Sequence, residues 1–160
     1  MIKMADPMLA LNKTQAALDT GAVLDMSQID HDFCIIVDDE TSSGKRQTVV
    51  KIFENEIQAL AIFGEEDPLN GIVCFSVGYA VKESYRRRGL AVEVVNKDVA
   101  RLTENLRGSE VKRFYLEAMV DRTNLPSIKF AEKFFSVSGR SSEDSQSGTP
   151  SLHFAKLISI

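Results

Sequence analysis

Apolar residues recur at helical spacing in the second half of the chain. They fall three or four positions apart, at Val92, Val95, Val99, Leu102 and Leu106. This spacing places them on one face of an amphipathic helix that begins after Gly89 and ends near Gly108. Weaker patterns predict two shorter helices, one over residues 8–20 and one over residues 127–135.

Segments rich in β-branched and aromatic residues predict the strands. These segments are residues 33–40, 47–53, 57–63, 72–81, 111–120 and 151–160. Short polar turns join the first three, which is typical of an antiparallel meander. Residues 64–71 and 141–150 have the composition of loops. A strand–helix–strand unit follows the meander, so we expect an α/β fold with a mixed, mostly antiparallel central sheet flanked by helices.

Length and composition limit the class of protein. The 160 residues suffice for one domain, which we expect to span residues 1–160. With 44% hydrophobic and 26% charged residues, the chain has the composition of an ordinary globular protein. Its formal net charge of -4 disfavours nucleic acid as a partner, because phosphate contacts need clustered Lys and Arg.

The sequence favours a reduced, cytoplasmic protein without a membrane partner. No apolar stretch approaches the roughly 20 residues of a membrane-spanning helix, and the first residues lack the apolar core of a signal peptide. Cys34 and Cys74 lie in apolar runs and are expected to be buried thiols. Together with the distant His31 and His153 they have no metal-ligand spacing, so we expect no metal site.

The segment at 84–95 carries the strongest chemical signal. Three arginines, Arg86, Arg87 and Arg88, precede Gly89 where a strand ends and the long helix begins. A helix start offers backbone N–H groups without internal partners and the positive end of the helix dipole. Glycine lets the backbone approach an anion closely, so this turn predicts a phosphate-binding site.

Two motifs resemble those of the GNAT acetyltransferase superfamily. The residues from Arg86 to Ala91, RRRGLA, match its R/Q-x-x-G-x-G/A signature. Downstream, Asn124, Ser127, Glu132 and Lys133 have the spacing N-x-x-S-x-x-x-x-E-K. This second pattern is most similar to the branch that contains the ribosomal-protein N-terminal acetyltransferases. The resemblance covers residues 72–136 well.

The resemblance implies that the chain binds acetyl-CoA as a co-substrate. The strand at 77–81 would splay from the strand at 115–120, with the pantetheine arm in the wedge between them. The N–H groups of residues 86–91, which include Leu90 and Ala91, would hold the pyrophosphate. The backbone at Ala80 and Val81 would face the thioester carbonyl. Asn124 would contact the arm of the cofactor.

The catalytic groups are less well defined. Ala131 stands where many members of this superfamily have a tyrosine that protonates the departing thiolate. Ser127 is a substitute by analogy, or it is a helix-start hydroxyl bonded to local backbone. Glu117 is a candidate general base on the strand lining the wedge, or an exposed or salt-bridged strand residue. Tyr79 and Tyr115 lie near the wedge and are expected to pack as aromatic residues.

The resemblance implies transfer of an acetyl group to a small-molecule or peptide amine by direct attack in a ternary complex. A non-catalytic module that binds an acyl-CoA is the alternative. The family usually has Gly-Phe one residue after the Glu-Lys pair, whereas this chain has Phe134-Phe135-Ser136 there, so helix 127–135 needs another way to end. Acceptor recognition would fall to the N-terminal helix, the turns at 40–46 and 54–56, and the Ser-rich tail. A homodimer is an open possibility.

Overall fold

The computed structural model describes residues 6–22, 26–38, 46–143 and 148–160. Its elements in chain order are α1 (Pro7–Asp19), β1 (Met26–Asp30), β2 (Phe33–Asp38), β3 (Arg46–Phe53), β4 (Glu56–Leu69), β5 (Ile72–Val81), a short 3-10 turn (Glu83–Tyr85), α2 (Leu90–Leu106), β6 (Arg113–Asp121), α3 (Leu125–Phe135), β7 (Arg140–Glu143) and β8 (Pro150–Ser159). Most of the predicted helices and strands are therefore present. The predicted turn at 40–46 lies outside the described residues except for Arg46.

The strands form one sheet in the order β1-β2-β3-β4-β5-β6-β8-β7. Among these strands only β5 and β6 pair in parallel, and all other neighbours are antiparallel. The connection from β5 to β6 runs through α2, as a parallel crossover requires. The predicted fold, a mixed and mostly antiparallel sheet with helices on both faces, is confirmed.

Each face of the sheet has its own core. On one face α2 and α3 pack over a cluster that includes Phe63, Val94, Phe114 and Phe154, all at most 1% exposed. On the other face α1 packs on β4 and β5 through Leu11 and the smaller cluster around it. The alternation of side chains along each strand assigns successive residues to opposite faces. The helices of the described residues therefore leave the β6–β8 half of the α1 face without a helix packed over it.

Strand β4 is longer than the sequence predicts. Residues 64–69 have the composition of a loop, yet they continue the ladder with β5 through the pairs Gly64↔Ser76 and Glu66↔Cys74. The register then shifts before Leu69 pairs with Ile72. The turn uses Asn70 and Gly71, both with positive φ. An Asn-Gly pair between two strands is a strong hairpin signal, and pairing with β5 prevails over the unfavourable composition of this segment.

Both outer strands escape prediction because they are short and polar. Strand β1 reads MSQID, and β7 reads RSSE within a segment expected to be loop. Neither has an alternating apolar pattern, and each is paired on one side only, to β2 and β8 respectively. Short polar strands at the edges of a sheet oppose pairing with other chains.

Helix α3 ends without the expected glycine. Ser136 occupies the C-terminal cap position with φ 56° and ψ 29°, in the left-handed region where glycine is usual. Its hydroxyl donates to the carbonyl of Lys133 at 3.5 Å. A serine in the left-handed region therefore ends the helix one residue after Phe135, which stands where the resemblance implies the glycine, and the helix keeps its predicted end.

No helix within the described part of the chain is both long enough and apolar enough to cross a membrane.

Candidate functional site

The parallel strands β5 and β6 separate after only three residue pairs. The ladder runs from Cys74↔Tyr115 to Ser76↔Glu117 and then stops, although both strands continue to Val81 and Asp121. The backbone edges of residues 77–81 and 118–121 therefore face each other without pairing. The splayed pair expected from the resemblance is present at the predicted strands.

A cavity of about 190 Å³ fills this wedge and passes through the sheet. Val77, Tyr79, Ala118 and Val120 line it on the α3 side, whereas Gly78, Met119 and Pro7 of α1 line it on the other side. Helix α3 and its N-cap close the cavity with Asn124, Ser127, Phe130, Ala131 and Phe135. Asn124 and Ser127 are the two candidate site residues that the sequence predicts here. A ligand in the wedge could therefore be reached from both faces of the sheet.

The backbone of β5 presents hydrogen-bonding groups to the wedge. The N–H of Lys82 donates to the carbonyl of Gln58 in β4 at 2.9 Å. Because successive backbone groups of a strand point to opposite sides, the N–H and C=O of Val81 point away from β4 and into the wedge. The carbonyl of Val81 accepts a hydrogen bond from Arg86 Nε at 3.2 Å. Of the two predicted backbone positions, Val81 faces the wedge and Ala80 faces β4.

The turn between β5 and α2 has the geometry of an anion site. Arg87 and Gly89 have positive φ values of 65° and 74°, with Gly89 as the N-cap of α2. No side chain of the described residues caps this helix, and its first intrahelical bond is from Glu93 N–H to the Gly89 carbonyl. The N–H groups of Leu90, Ala91 and Val92 therefore remain available to an anion.

The three arginines of this turn are exposed, while Leu90 is buried at 8% exposure. Arg88 lies over the ring of Tyr85, with its guanidinium carbon 5.3 Å from the ring centroid. Arg86 folds back on Val81 as described above. Leu90 anchors the start of α2 in the core, so the turn holds its charges at the mouth of the wedge on a fixed backbone.

Asn124 caps α3 at the edge of the cavity. Its Oδ1 accepts from the backbone N–H of Ser127 at 3.3 Å, and its own N–H donates to the Asp121 carbonyl at 3.0 Å. The side-chain oxygen is thus engaged in the cap, whereas the amide nitrogen of the same side chain is a further donor group at the wedge.

The hydroxyl of Ser127 is bonded across the wedge. Tyr79 Oη donates to Ser127 Oγ at 3.0 Å, which joins β5 to α3. The ring of Tyr79 also packs against Phe130, with the centroids 4.4 Å apart. Burial raises the pKa of the Tyr79 hydroxyl, while its bond to Ser127 opposes that shift. The packing expected of Tyr79 is present, but its hydroxyl enters the cavity as well.

Glu117 lies at the closed end of the wedge, on the same face of the sheet as α1 but in the half that no helix of the described residues covers. Its Oε2 accepts from His153 Nε2 of β8 at 2.9 Å, and both side chains are about one-quarter exposed. Glu66 of β4 is close enough to interact with Glu117, and burial raises the pKa of Glu66 first, with repulsion from Glu117 adding to it. Glu117 is therefore a hydrogen-bonded strand residue next to the cavity.

The two cysteines are free thiols with little nucleophilic character. Cys74 is buried and Cys34 half-buried, so the burial of Cys34 is less complete than expected. Burial raises the pKa of Cys74 to about 12 and also raises that of Cys34. A thiol that stays protonated is a poor nucleophile. Within residues 6–22, 26–38, 46–143 and 148–160, no group of His, Cys, Asp and Glu is arranged to hold a metal ion.

Sequence reasoning missed two contributors to the site. His153 was considered only as a metal ligand, and its pairing with Glu117 depends on β8 lying next to β6. Pro7 reaches the wedge because α1 packs on β5. Neither contact has a local signal, since each joins segments that are distant in sequence.

The sequence profile of the Acetyltransferase (GNAT) family matches residues 19–136 of this chain. The match includes the anion turn (Arg86 to Gly89, between β5 and α2), both strands of the wedge and the whole of α3. No curated protein sequence shows significant similarity to the chain.

Solved structures share the fold at low sequence identity. One from Streptococcus pneumoniae, described as an acetyltransferase of the GNAT family, has a TM-score of 0.54 and 14% identity over 99% of this chain and 98% of its own. Escherichia coli ElaA has a TM-score of 0.50 and 18% identity over 96% and 92%. An N-acetyltransferase from Staphylococcus aureus Mu50 has a TM-score of 0.50 and 16% identity over 69% and 66%.

Proposed function

Because this chain belongs to the acetyltransferase (GNAT) family, we propose that it is an acetyl-CoA-dependent N-acetyltransferase. The acceptor is a small-molecule or peptide amine that attacks the thioester directly in a ternary complex. The narrower branch of ribosomal-protein N-terminal acetyltransferases stays a prediction, since none of the three relatives described above carries that description.

The opening between β5 and β6 carries this proposal. The ladder stops at Ser76↔Glu117 and leaves a cavity that runs through the sheet. A thioester in the wedge can thus be held from the α3 face and attacked from the α1 face. The anion turn lies at the same end of β5 as the open part of the wedge, which suits a ligand with a pyrophosphate and a long arm.

The residues present fit acetyl-CoA. The uncapped N–H groups at the start of α2 and the adjacent arginines would hold the pyrophosphate. The amide nitrogen of Asn124 would donate to the pantetheine arm. When bound, the cofactor supplies an activated acetyl group, and the inward-facing N–H of Val81 would stabilise negative charge on the carbonyl oxygen.

The proton of the attacking amine needs an acceptor, and Glu117 is the residue that we propose for that role. It lies on the α1 face at the closed end of the wedge, where His153 fixes its orientation by the 2.9 Å hydrogen bond. A carboxylate held in this way takes up a proton directly or through one water molecule. Ser127 of α3 lies on the opposite face of the wedge and offers its hydroxyl to the departing sulfur.

The acceptor is an amine that approaches over a face bearing carboxylates. Glu66 and Glu117 lie on that face, and Met119 next to them is 45% exposed. A cationic amine with an apolar part would complement these groups.

The test is a binding measurement followed by an assay of turnover. CoA and acetyl-CoA are expected to raise the melting temperature of the purified chain, because a ligand of the native state stabilises it. Acetyl-CoA is then incubated with a panel of amines, and free thiol and acetylated amine are quantified together. Absence of any thermal shift at millimolar CoA would refute the proposal, and binding without turnover on every amine would favour a non-catalytic acyl-CoA-binding module.

A further inference from the structure

We propose that Tyr79 supplies the proton for the departing thiolate, and that it does so through the hydroxyl of Ser127. This inference rests on the proposed function. It assigns Tyr79 of β5 as a positioning and proton-relay residue, a role that the sequence does not indicate, since the tyrosine lies on the strand opposite α3.

The first support is where the two hydroxyls lie. Tyr79 and Ser127 both line the wedge cavity, and their oxygens are 3.0 Å apart. The other two tyrosines, Tyr85 and Tyr115, are not among the residues that line this cavity. Tyr79 is therefore the phenol that the wedge contains within the described residues.

The second support is the space beside them. Ala131 lines the same cavity and is 1% exposed, so a larger side chain at that position would enter the wedge from α3. With alanine there, the ring of Tyr79 reaches across and packs on Phe130, one residue away. The phenol that could have come from α3 is supplied from the opposite wall.

The third support is the direction of the hydrogen bonds. A hydroxyl has one proton to donate and two lone pairs to accept. The backbone N–H of Ser127 is already capped by Asn124, and Ser127 Oγ accepts from Tyr79. With Tyr79 as the donor of that bond, the proton of the Ser127 hydroxyl is available to a group in the cavity, and any proton that it gives up is replaced from Tyr79.

The step balances as follows. The amine nitrogen forms a bond to the acetyl carbon while the carbon–sulfur bond breaks, and the electron pair of that bond passes to sulfur. Sulfur takes the proton of Ser127, and Ser127 takes the proton of Tyr79. The proton released by the amine passes to Glu117 and water, and water returns a proton to the Tyr79 phenolate, which is half-buried and so within reach of solvent. No oxidant or further reactant is needed.

The first experiment compares matched tyrosine variants. Tyr79→Phe keeps the ring that packs on Phe130 and removes only the hydroxyl, and Tyr115→Phe is the control because Tyr115 lies outside the cavity lining. We expect Tyr79→Phe to lower kcat about 100-fold, in the range of general-acid catalysis, with a smaller change in KM for acetyl-CoA. The kcat of Ser127→Ala should fall by a similar factor. The double variant should have a kcat only a little lower than that of either single variant, because the two residues act as a unit.

The second experiment separates the relay from a structural role. Trifluorotyrosine, whose phenol is more acidic, is incorporated at position 79 or, as a control, at position 115. With trifluorotyrosine at position 79, we expect the basic limb of the pH profile of kcat to lie at a lower pH than in the wild type. With trifluorotyrosine at position 115, we expect the profile of the wild type. Equal kcat for Tyr79→Phe and wild type, or pH profiles that match at both positions, would overturn the role of Tyr79. Wild-type chain that transfers no acetyl group to any amine would instead refute the proposed function.

Discussion

Ser76 of β5 and Glu117 of β6 form the last pair of the parallel ladder, and the sheet opens directly beyond them. The hydrogen bond from His153 Nε2 to Glu117 Oε2 holds the carboxylate at that point. The base proposed for the attacking amine is therefore fixed where the wedge closes, by a residue of the next strand.

Replacing Glu117 tests this assignment. Glu117→Gln keeps the size of the side chain and an oxygen that accepts from His153, but it cannot take up a proton. We expect kcat to fall about 100-fold or more, as for removal of a general base, while CoA binding is retained. The exposed Glu110→Gln serves as the matched control. A kcat for Glu117→Gln equal to that of the control would leave Glu117 with a purely structural role.

Charge reversal at the anion turn tests the phosphate site. Arg86→Glu combined with Arg88→Glu removes two donors and adds repulsion, so CoA should bind about 100-fold more weakly or worse, at roughly 1.5–3 kcal/mol for each charged hydrogen bond. The pair Lys13→Glu and Arg113→Glu changes the net charge equally at exposed positions away from the turn. Calorimetric titration of CoA compares the two, and equal affinities would contradict the site.

Asp98 of α2 predicts a pH-dependent stability. It is fully buried; Gln47 Nε2 donates to Oδ1 at 2.5 Å, and Oδ2 has no partner among the described residues. Burial raises the pKa of Asp98 well above its usual value. The folded state thus binds this proton more tightly than the unfolded state, so the contribution of Asp98 to stability is largest at acidic pH and is lost as pH rises.

Asp98→Asn is expected to remove this dependence. Relative to wild type, the variant should gain in free energy of unfolding as pH rises from 4 to 9, while the exposed Asp67→Asn should follow the wild type. Urea denaturation at several pH values measures both. A difference between Asp98→Asn and wild type that stays constant with pH would contradict the raised pKa.

The left-handed Ser136 predicts that glycine is preferred at the end of α3. Ser136→Gly relieves the cost of a positive φ and should raise the free energy of unfolding by about 0.5–1 kcal/mol. Ser136→Val should lower it, because a β-branched residue is strained in this region. Chemical denaturation of the two variants gives changes of opposite sign if the cap has this geometry.

The sequence predicts the features of the site that consist of neighbouring residues better than the contacts between segments that are distant in sequence. The anion turn is readable because its arginines and Gly89 are consecutive and stand between a strand and an amphipathic helix. The divergence of β5 from β6 depends on where a ladder stops, and the resemblance rather than any residue pattern predicts it. The Tyr79–Ser127 bond joins residues 48 positions apart, so their contact follows only from the packing of α3 against the open edge of β5.

The two edge strands of the sheet could not be predicted from the sequence for a different physical reason. Strands β1 and β7 are short and polar, which is common for edge strands because it opposes pairing with other chains, and so they lack the alternation that reveals a half-buried strand. Asp98 escapes prediction for another reason: it lies at helical spacing from the buried Val94 and Leu102, but a charged residue on a helix is ordinarily exposed. Only its position on the face of α2 that packs against β3, next to Gln47, explains its burial.

Residue-resolved amide hydrogen exchange with and without CoA tests the central claim most directly. If the wedge and the anion turn hold the ligand, exchange should slow at Val81 and at Leu90, Ala91 and Val92, whose N–H groups are free to bind it. Exchange at Ile35 in β2, remote from the wedge, should stay unchanged. The proposed site would be contradicted if CoA binds without slowing exchange at these amides, or if exchange slows on another surface instead.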